Sequence, residues 1–150
     1  MKKIVLAAVL VIAMMSAAGC KKDNGGDDNS GGGSLSAAGK LAPPAWIQGS
    51  WAREAGGNVL YKFTSDDVLY MGAVSFKTTY HVNYGAVRLT LKETKKTDTL
   101  YELTITTNAT GVETISNFFS FKKGDGSFIE AGISAENVSI IEEYVKLYKL

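Results

Sequence analysis

The chain has one cysteine, one histidine and two prolines among its 150 residues. A single cysteine excludes an intramolecular disulfide, so a hydrophobic core has to stabilise the fold. No His/Cys/Asp cluster has metal-ligand spacing, and we expect neither a metal nor another cofactor. Charges of both signs are interspersed, with a formal net charge of +1. Because there is no basic stripe, we expect no nucleic-acid partner.

The first twenty residues follow the order of a secretory signal peptide. Lys2 and Lys3 precede an apolar run over residues 4–15, and small side chains at residues 16–19 lead to Cys20. One alternative is a transmembrane helix, which needs about 20 apolar residues. Another is a plain secretory signal cut at an A-x-A-like site. An unpaired cysteine is unusual in a secreted chain, which favours a role for Cys20 itself.

Small residues running into a cysteine resemble the lipobox of bacterial lipoproteins. In that family the cysteine is modified with lipid such as palmitate and becomes the new N-terminus. The resemblance implies a signal peptide over residues 1–19, lipid attachment at Cys20 and a membrane as partner. It also implies a place in the bacterial cell envelope. Lys21 after the cysteine favours the outer membrane, with the domain facing either the periplasm or the cell surface.

Residues 20–42 are rich in Gly, Ser, Asn, Asp and Lys. Such a segment has too little apolar surface to fold, so we expect a flexible tether with an r.m.s. reach of roughly 25–30 Å. Loss of residues 1–19 would lower the formal net charge from +1 to −1. Residues 43–150 remain for one domain of ordinary size.

Apolar and polar residues alternate along most of this domain, which predicts half-buried strands. The clearest strands contain Val87, Leu89 and Leu91, and then Tyr101, Leu103 and Ile105. Further strands are predicted at Val59, Tyr61 and Phe63, with Leu60 on the opposite face, and at Tyr80, Val82 and Tyr84. Turn signals at residues 55–58, 64–67, 108–111 and 123–126 separate strands. We therefore expect an all-β fold, a small antiparallel up-and-down barrel of about eight strands, because closure removes exposed edges.

The last segment, residues 138–149, allows two interpretations. Ile140, Ile141, Tyr144, Val145 and Tyr148 would share one face of a helix, and Glu142 would meet Lys146. A closing strand over residues 144–149, rich in β-branched and aromatic side chains, is the alternative. We favour the strand because a barrel needs a last strand to pair with its first.

Gly49, Ser50 and Trp51 follow a short apolar turn at the predicted first strand. They resemble the G-x-W motif of the lipocalin and calycin superfamily, whose tryptophan plugs one end of an eight-stranded barrel. The resemblance implies a lipocalin-like barrel over residues 43–150. A basic residue from a late strand packs on the tryptophan in that family, and Lys146 or Lys149 is the candidate here.

The sequence offers little support for catalysis, and we expect no enzyme. His81 alternates with Thr79 and Asn83, which predicts a surface or loop position. No G-x-S-x-G elbow is present, and lipidation would consume Cys20. The adjacent pairs Asp66-Asp67 and Glu142-Glu143 point to opposite faces of a strand, so neither forms an acid/base pair.

Two functions of different classes remain. In the first, the domain is a non-catalytic binding module for a small apolar or amphipathic ligand; in the second, it is an envelope protein or inhibitor that docks a protein partner with a filled interior. Six aromatic residues are candidates for the cavity lining or the core: Trp51, Tyr61, Phe63, Tyr80, Tyr84 and Tyr101. Small barrels either fill with side chains or hold one ligand. An interior void below about 100 Å³ would favour the second function, because ligand pockets reach several hundred Å³.

Overall fold

A computed structural model describes residues 38–135 and 140–150, which form an all-β domain with one short helix. The expected signal peptide, Cys20 and residues 20–37 of the expected tether lie outside the described residues. The strands and the helix are β1 (Gly49–Ala52), β2 (Val59–Phe63), β3 (Val68–Tyr70), β4 (Val74–Ser75), α1 (Phe76–Tyr80), β5 (Val82–Tyr84), β6 (Val87–Lys96), β7 (Leu100–Ala109), β8 (Val112–Lys123), β9 (Phe128–Ala135) and β10 (Val145–Lys149). Within the described ranges, no helix has the length and apolar character needed to cross a membrane.

The ten strands form one antiparallel sheet in the order β4-β3-β2-β1-β10-β9-β8-β7-β6-β5. Consecutive strands pair with each other, except for β4 and β5, which form the two edges, and β10 returns to pair with β1. The sheet therefore consists of two meanders, β1–β4 and β5–β10, joined in its middle. The predicted all-β antiparallel architecture is confirmed.

The sheet curls until its two halves touch. In a flat sheet, β2 and β8 would lie about 19 Å apart, because neighbouring strands are spaced by about 4.8 Å and four steps separate them. The ring centroids of Phe63 on β2 and Phe121 on β8 are 4.9 Å apart. One face of the curled sheet therefore encloses a core, to which the apolar sides of β6 and β7 contribute Leu91, Leu103 and Ile105.

Closure is where the sequence prediction is wrong. Among the described residues, no hydrogen-bonded ladder joins the edges β4 and β5, so the sheet is not a closed barrel, and it has ten strands rather than about eight. The two edge strands contain only two and three residues, and α1 connects them. Ser75 caps this helix, since its Oγ accepts a hydrogen bond from the Thr78 N–H at 3.2 Å.

Two local features explain further differences from the predicted strands. A register shift between Trp51 and Ala52 pairs Ala52 with Val59, and Leu60 packs against the core instead of pointing outward. The segment expected to place Tyr80, Val82 and Tyr84 in one strand is split, because Tyr80 ends α1. Periodicity could not find this five-residue helix; the Ser75 cap was its one sequence signal.

The C-terminal strand is confirmed, since Val145–Lys149 forms β10 between β1 and β9. Residues 138 and 139 of the ambiguous segment lie outside the described residues. Before β10, Ile141 packs closely on Gly132 of β9, where an added Cβ would clash with Ile141 Cγ2. The Tyr144 hydroxyl donates to Ser120 Oγ at 3.1 Å. Residues 140–144 therefore cover the outer face of β8 and β9.

Residues 38–48 lie against the curled sheet and cover one of its ends, which we call the covered end. The Gly39 N–H donates to the Leu91 carbonyl oxygen at 2.8 Å, and Leu41 is buried. The Trp46 Nε1–H donates to the Thr97 carbonyl oxygen at 3.0 Å. The packed domain thus begins before Pro43, the residue at which the sequence analysis placed its start. The reason is that the side chain of Leu41 is buried among the core residues.

Candidate functional site

Four of the six predicted aromatic residues meet in the core. Trp51, Tyr61, Phe63 and Tyr101 are all buried. Phe63 lies 6.2 Å from Tyr61 and 6.5 Å from Tyr101, measured between ring centroids. Phe121 and Phe119 on β8 extend this cluster, and Phe119 contacts Phe76 of α1 at 5.1 Å. The rings pack mostly at steep angles, the preferred geometry of aromatic pairs.

Trp51 anchors the cluster at the covered end. Its Nε1–H donates to the Ile47 carbonyl oxygen at 2.6 Å, so the polar atom of the buried ring has a partner. Lys149 Nζ lies 5.7 Å from the Trp51 ring centroid, within the range of a cation–π contact. Of the two candidate lysines, Lys149 is therefore the one on the tryptophan, whereas Lys146 lies over Phe128.

A buried carboxylate that sequence reasoning missed joins the core to the N-terminal segment. Glu93 Oε1 accepts hydrogen bonds from the Tyr101 hydroxyl at 2.8 Å and from the Ala42 N–H at 2.5 Å. Lys96 Nζ lies 3.8 Å from Glu93 Oε2. The sequence did contain a usable signal for Glu93. Alternation along β6 places it on the same face of the strand as Leu89 and Leu91. An acid on an apolar strand face requires buried partners.

Burial dominates the titration of the core tyrosines. Burial raises the pKa of Tyr101, and the neighbouring Glu93 charge and hydrogen bond raise it further. Burial also raises the pKa of Tyr61, with smaller contributions from Tyr70 and Tyr80. Both phenols therefore remain neutral at physiological pH, as packing groups or hydrogen-bond donors.

The other two predicted aromatic residues lie elsewhere. Tyr80 is partly buried and packs on the core through Phe76, at 5.1 Å between ring centroids. Tyr84 is 55% exposed and lies outside the core. It pairs with Val87 at the far end of β6, beyond the part of the sheet that the aromatic cluster fills. The prediction that Tyr84 belongs to the core or lines a cavity in it is therefore wrong.

His81 lies in the loop that follows α1, which agrees with the predicted surface or loop position, and its side chain is partly buried. Its ring lies against Gly39, where an added Cβ would clash with the imidazole. Burial and the nearby Arg88 lower the His81 pKa, which favours the neutral ring. Within residues 38–135 and 140–150, no group of three His, Cys, Asp or Glu side chains is placed to hold a metal ion.

Two half-open clefts lie at the end of the curled sheet opposite the covered end. The smaller has a volume of about 80 Å³, and Leu60, Tyr61, Ile133 and Val145 contribute to its wall. The larger has about 240 Å³ and extends from Leu60 past the β1–β2 turn to Met71. Arg53 and Leu60 line both. These volumes are below the several hundred Å³ of ordinary small-molecule sites.

Comparison of the chain with protein-family models, curated proteins and solved structures found no match.

Proposed function

We propose that this chain is a lipid-anchored protein of the bacterial cell envelope whose β domain is a non-catalytic interaction module. The observation that carries the proposal is the packed interior. Aromatic side chains of β2, β7, β8 and α1 touch one another across the sheet. A module with such an interior acts through its surface.

The alternative, a binding module for a small apolar or amphipathic ligand, has less support. Its cavity was expected among the aromatic side chains, but these make ring-to-ring contacts. The smaller cleft, at about 80 Å³, holds the equivalent of about three water molecules. Native mass spectrometry of the purified protein separates the two functions: a stoichiometric co-purified lipid or metabolite would favour the ligand module.

The anchor is proposed from the sequence alone. Lys2, Lys3, the apolar run and Cys20 support it, and Lys21 favours attachment to the outer membrane by resemblance to the lipoproteins. Labelling of growing cells with an alkyne-palmitate analogue tests the anchor. We expect the chain to be labelled and a Cys20→Ser variant to be unlabelled and released from the membrane fraction. Equal labelling of both chains would refute lipid attachment at Cys20.

We also propose that the curled sheet is a variant of the lipocalin-like barrel. Gly49 and Trp51 at the start of β1, the contact of Lys149 with Trp51 and the pairing of β10 with β1 support it. The open edges at β4 and β5 are the main difference. A crystal structure tests this: Trp51 capping one end of a sheet whose α1 fills the gap is the expected result, and an untwisted sheet with separated halves would contradict it.

A further inference from the structure

Apolar side chains are exposed around the two clefts. We call this surface the rim and define it as Arg53, Leu60, Tyr70, Met71, Ile133 and Val145. Met71 is 66% exposed and Ile133 is 56% exposed. Tyr70 adjoins the smaller cleft through its ring contact with Tyr61 at 5.7 Å. Exposed apolar side chains that lie together indicate an interaction site more often than scattered ones do.

Arg53 supplies the one positive charge that both clefts share. Among the described residues, no carboxylate forms an ion pair with its guanidinium. Glu54 lines only the larger cleft, whereas the smaller combines Arg53 with mostly apolar walls. An unpaired guanidinium between apolar walls is suited to a carboxylate, which it can bind through two parallel hydrogen bonds.

The backbone at Met71 is strained in a way that keeps this side chain exposed. Met71 has φ of 51° and Gly72 has φ of 72°, so both residues are left-handed, and the Ala73 N–H donates to the Tyr70 carbonyl oxygen at 3.2 Å. Such a turn favours Asn or Gly at its first position. A bulky side chain there costs stability. Local stability therefore does not explain the methionine, whereas an exposed contact residue does, because Met adapts well to binding surfaces.

We propose that the rim binds an extended segment of a partner protein in which an acidic residue is flanked by aliphatic residues. Its carboxylate pairs with Arg53, one aliphatic side chain enters the smaller cleft, and the chain continues along the larger cleft past Met71. This inference rests on the proposed function and names the chemistry of the partner.

The arrangement of charge favours a peptide over a lipid. A fatty acid carries its charge at the end of a single apolar chain, whereas Arg53 lies where the two clefts meet, since it lines both of them. In an extended peptide, alternate side chains lie about 6.5–7 Å apart on one face. A central acidic residue with aliphatic residues two positions before and after it could therefore place its carboxylate at Arg53 and its aliphatic side chains at the two clefts.

Selection from a random heptapeptide library displayed on phage, against the full chain purified in detergent, tests the proposal. Enriched peptides are then synthesised with a fluorescent label, and their affinities are measured by anisotropy. We expect the enriched peptides to share an acidic residue with aliphatic residues on both sides of it. Replacing that acid by its amide should weaken binding by about tenfold or more, the usual effect of losing a charge-assisted hydrogen bond.

Matched variants identify the binding surface. Arg53→Gln and Met71→Asn should each weaken binding by about tenfold. Two variants serve as controls. Arg88→Gln removes another exposed arginine, and Thr110→Asn relieves the backbone strain at a second left-handed residue, whose φ is 55°. Neither control residue lines a cleft, so both controls should bind as the unmodified chain does.

Each other outcome overturns the inference in a distinguishable way. If the enriched peptides lacked an acidic residue, or if Arg53→Gln and Arg88→Gln lowered the affinity equally, Arg53 would not be the residue that binds the carboxylate. Peptides that bind every variant equally would place docking elsewhere and leave the proposed function intact, whereas no enrichment at all would count against both. If the Cys20→Ser protein bound phosphatidylethanolamine vesicles and Met71→Asn abolished this binding, the rim would be a lipid-binding surface. A concentration-dependent dimer that Met71→Asn abolishes would make it a contact between two copies.

Discussion

The two ends of the curled sheet differ in how completely their side chains are paired. At the covered end, Trp51, Glu93 and Tyr101 are buried, and their polar atoms have partners. At the rim, Met71 and Ile133 are exposed, and Arg53 has no carboxylate partner among the described residues. The covered end therefore serves stability, and the rim is available for an interaction.

Replacement of Trp51 should have the largest effect. We expect Trp51→Ala to lower the free energy of unfolding by about 3–5 kcal/mol, because it leaves a cavity among tightly packed rings. Thermal unfolding followed by circular dichroism measures this change. Val112→Ala, at an exposed position, is the control and should change little. A Trp51→Ala melting temperature equal to that of the unmodified chain would show that the covered end does not govern stability.

Glu93→Leu should have the next largest effect, about 2–3 kcal/mol, because the Tyr101 hydroxyl and the Ala42 N–H lose their buried acceptor. Urea unfolding measures the loss, and limited proteolysis should show faster cleavage near residue 42. Glu54→Leu at the exposed β1–β2 turn is the matched control. If both variants unfolded at the same urea concentration, the buried carboxylate would not hold the N-terminal segment.

Alkaline pH should weaken the covered end through Tyr101. Its folded-state pKa is raised above the unfolded value of about 10, chiefly by burial. The stabilisation is therefore fully present below pH 10 and is lost as the pH rises above it. Urea unfolding between pH 8 and pH 11 should show a steeper decline for the unmodified chain than for Tyr101→Phe. Parallel declines would contradict the assignment.

Substitutions at the end of the sheet that carries the rim should change the free energy of unfolding least. They should raise it, whereas the substitutions at the covered end lower it. Met71→Asn should raise the free energy of unfolding by up to about 1 kcal/mol, because Asn tolerates a left-handed backbone better than Met. Thr110→Asn should act similarly in the β7–β8 turn. Thermal unfolding of both variants checks this. Destabilisation by Met71→Asn alone would mean that the methionine contributes to packing, and would weaken its interpretation as a contact residue.

Sequence patterns located most strands but not the features that distinguish the two ends. The alternation around Leu89 and Leu91 predicts β6 correctly, because a strand buried on one face needs period two. The same pattern failed at Leu60, where a bulge reverses the side of one residue. It also failed at Tyr84, whose parity is correct but which lies beyond the core.

The rim was not predicted because its members are far apart in the chain. Arg53 follows β1, Met71 follows β3 and Ile133 lies on β9. Only the curl of the sheet and the β1–β10 pairing bring them together. The Met71-Gly72 pair was a usable local signal, since a glycine after a strand marks a turn, but its left-handed geometry is a property of the folded hairpin.

The sequence by itself determined the all-β class, the main turns, the C-terminal strand and the expectation of a lipid anchor at Cys20. These features depend on local periodicity and on short motifs, which can be recognised without knowledge of contacts between distant residues. The tertiary structure alone decided that the sheet stays open at β4 and β5, that aromatic rings fill the interior, and that Arg53 shares a rim with Met71. Those features depend on contacts between distant strands, whose geometry follows from the packing of the whole core.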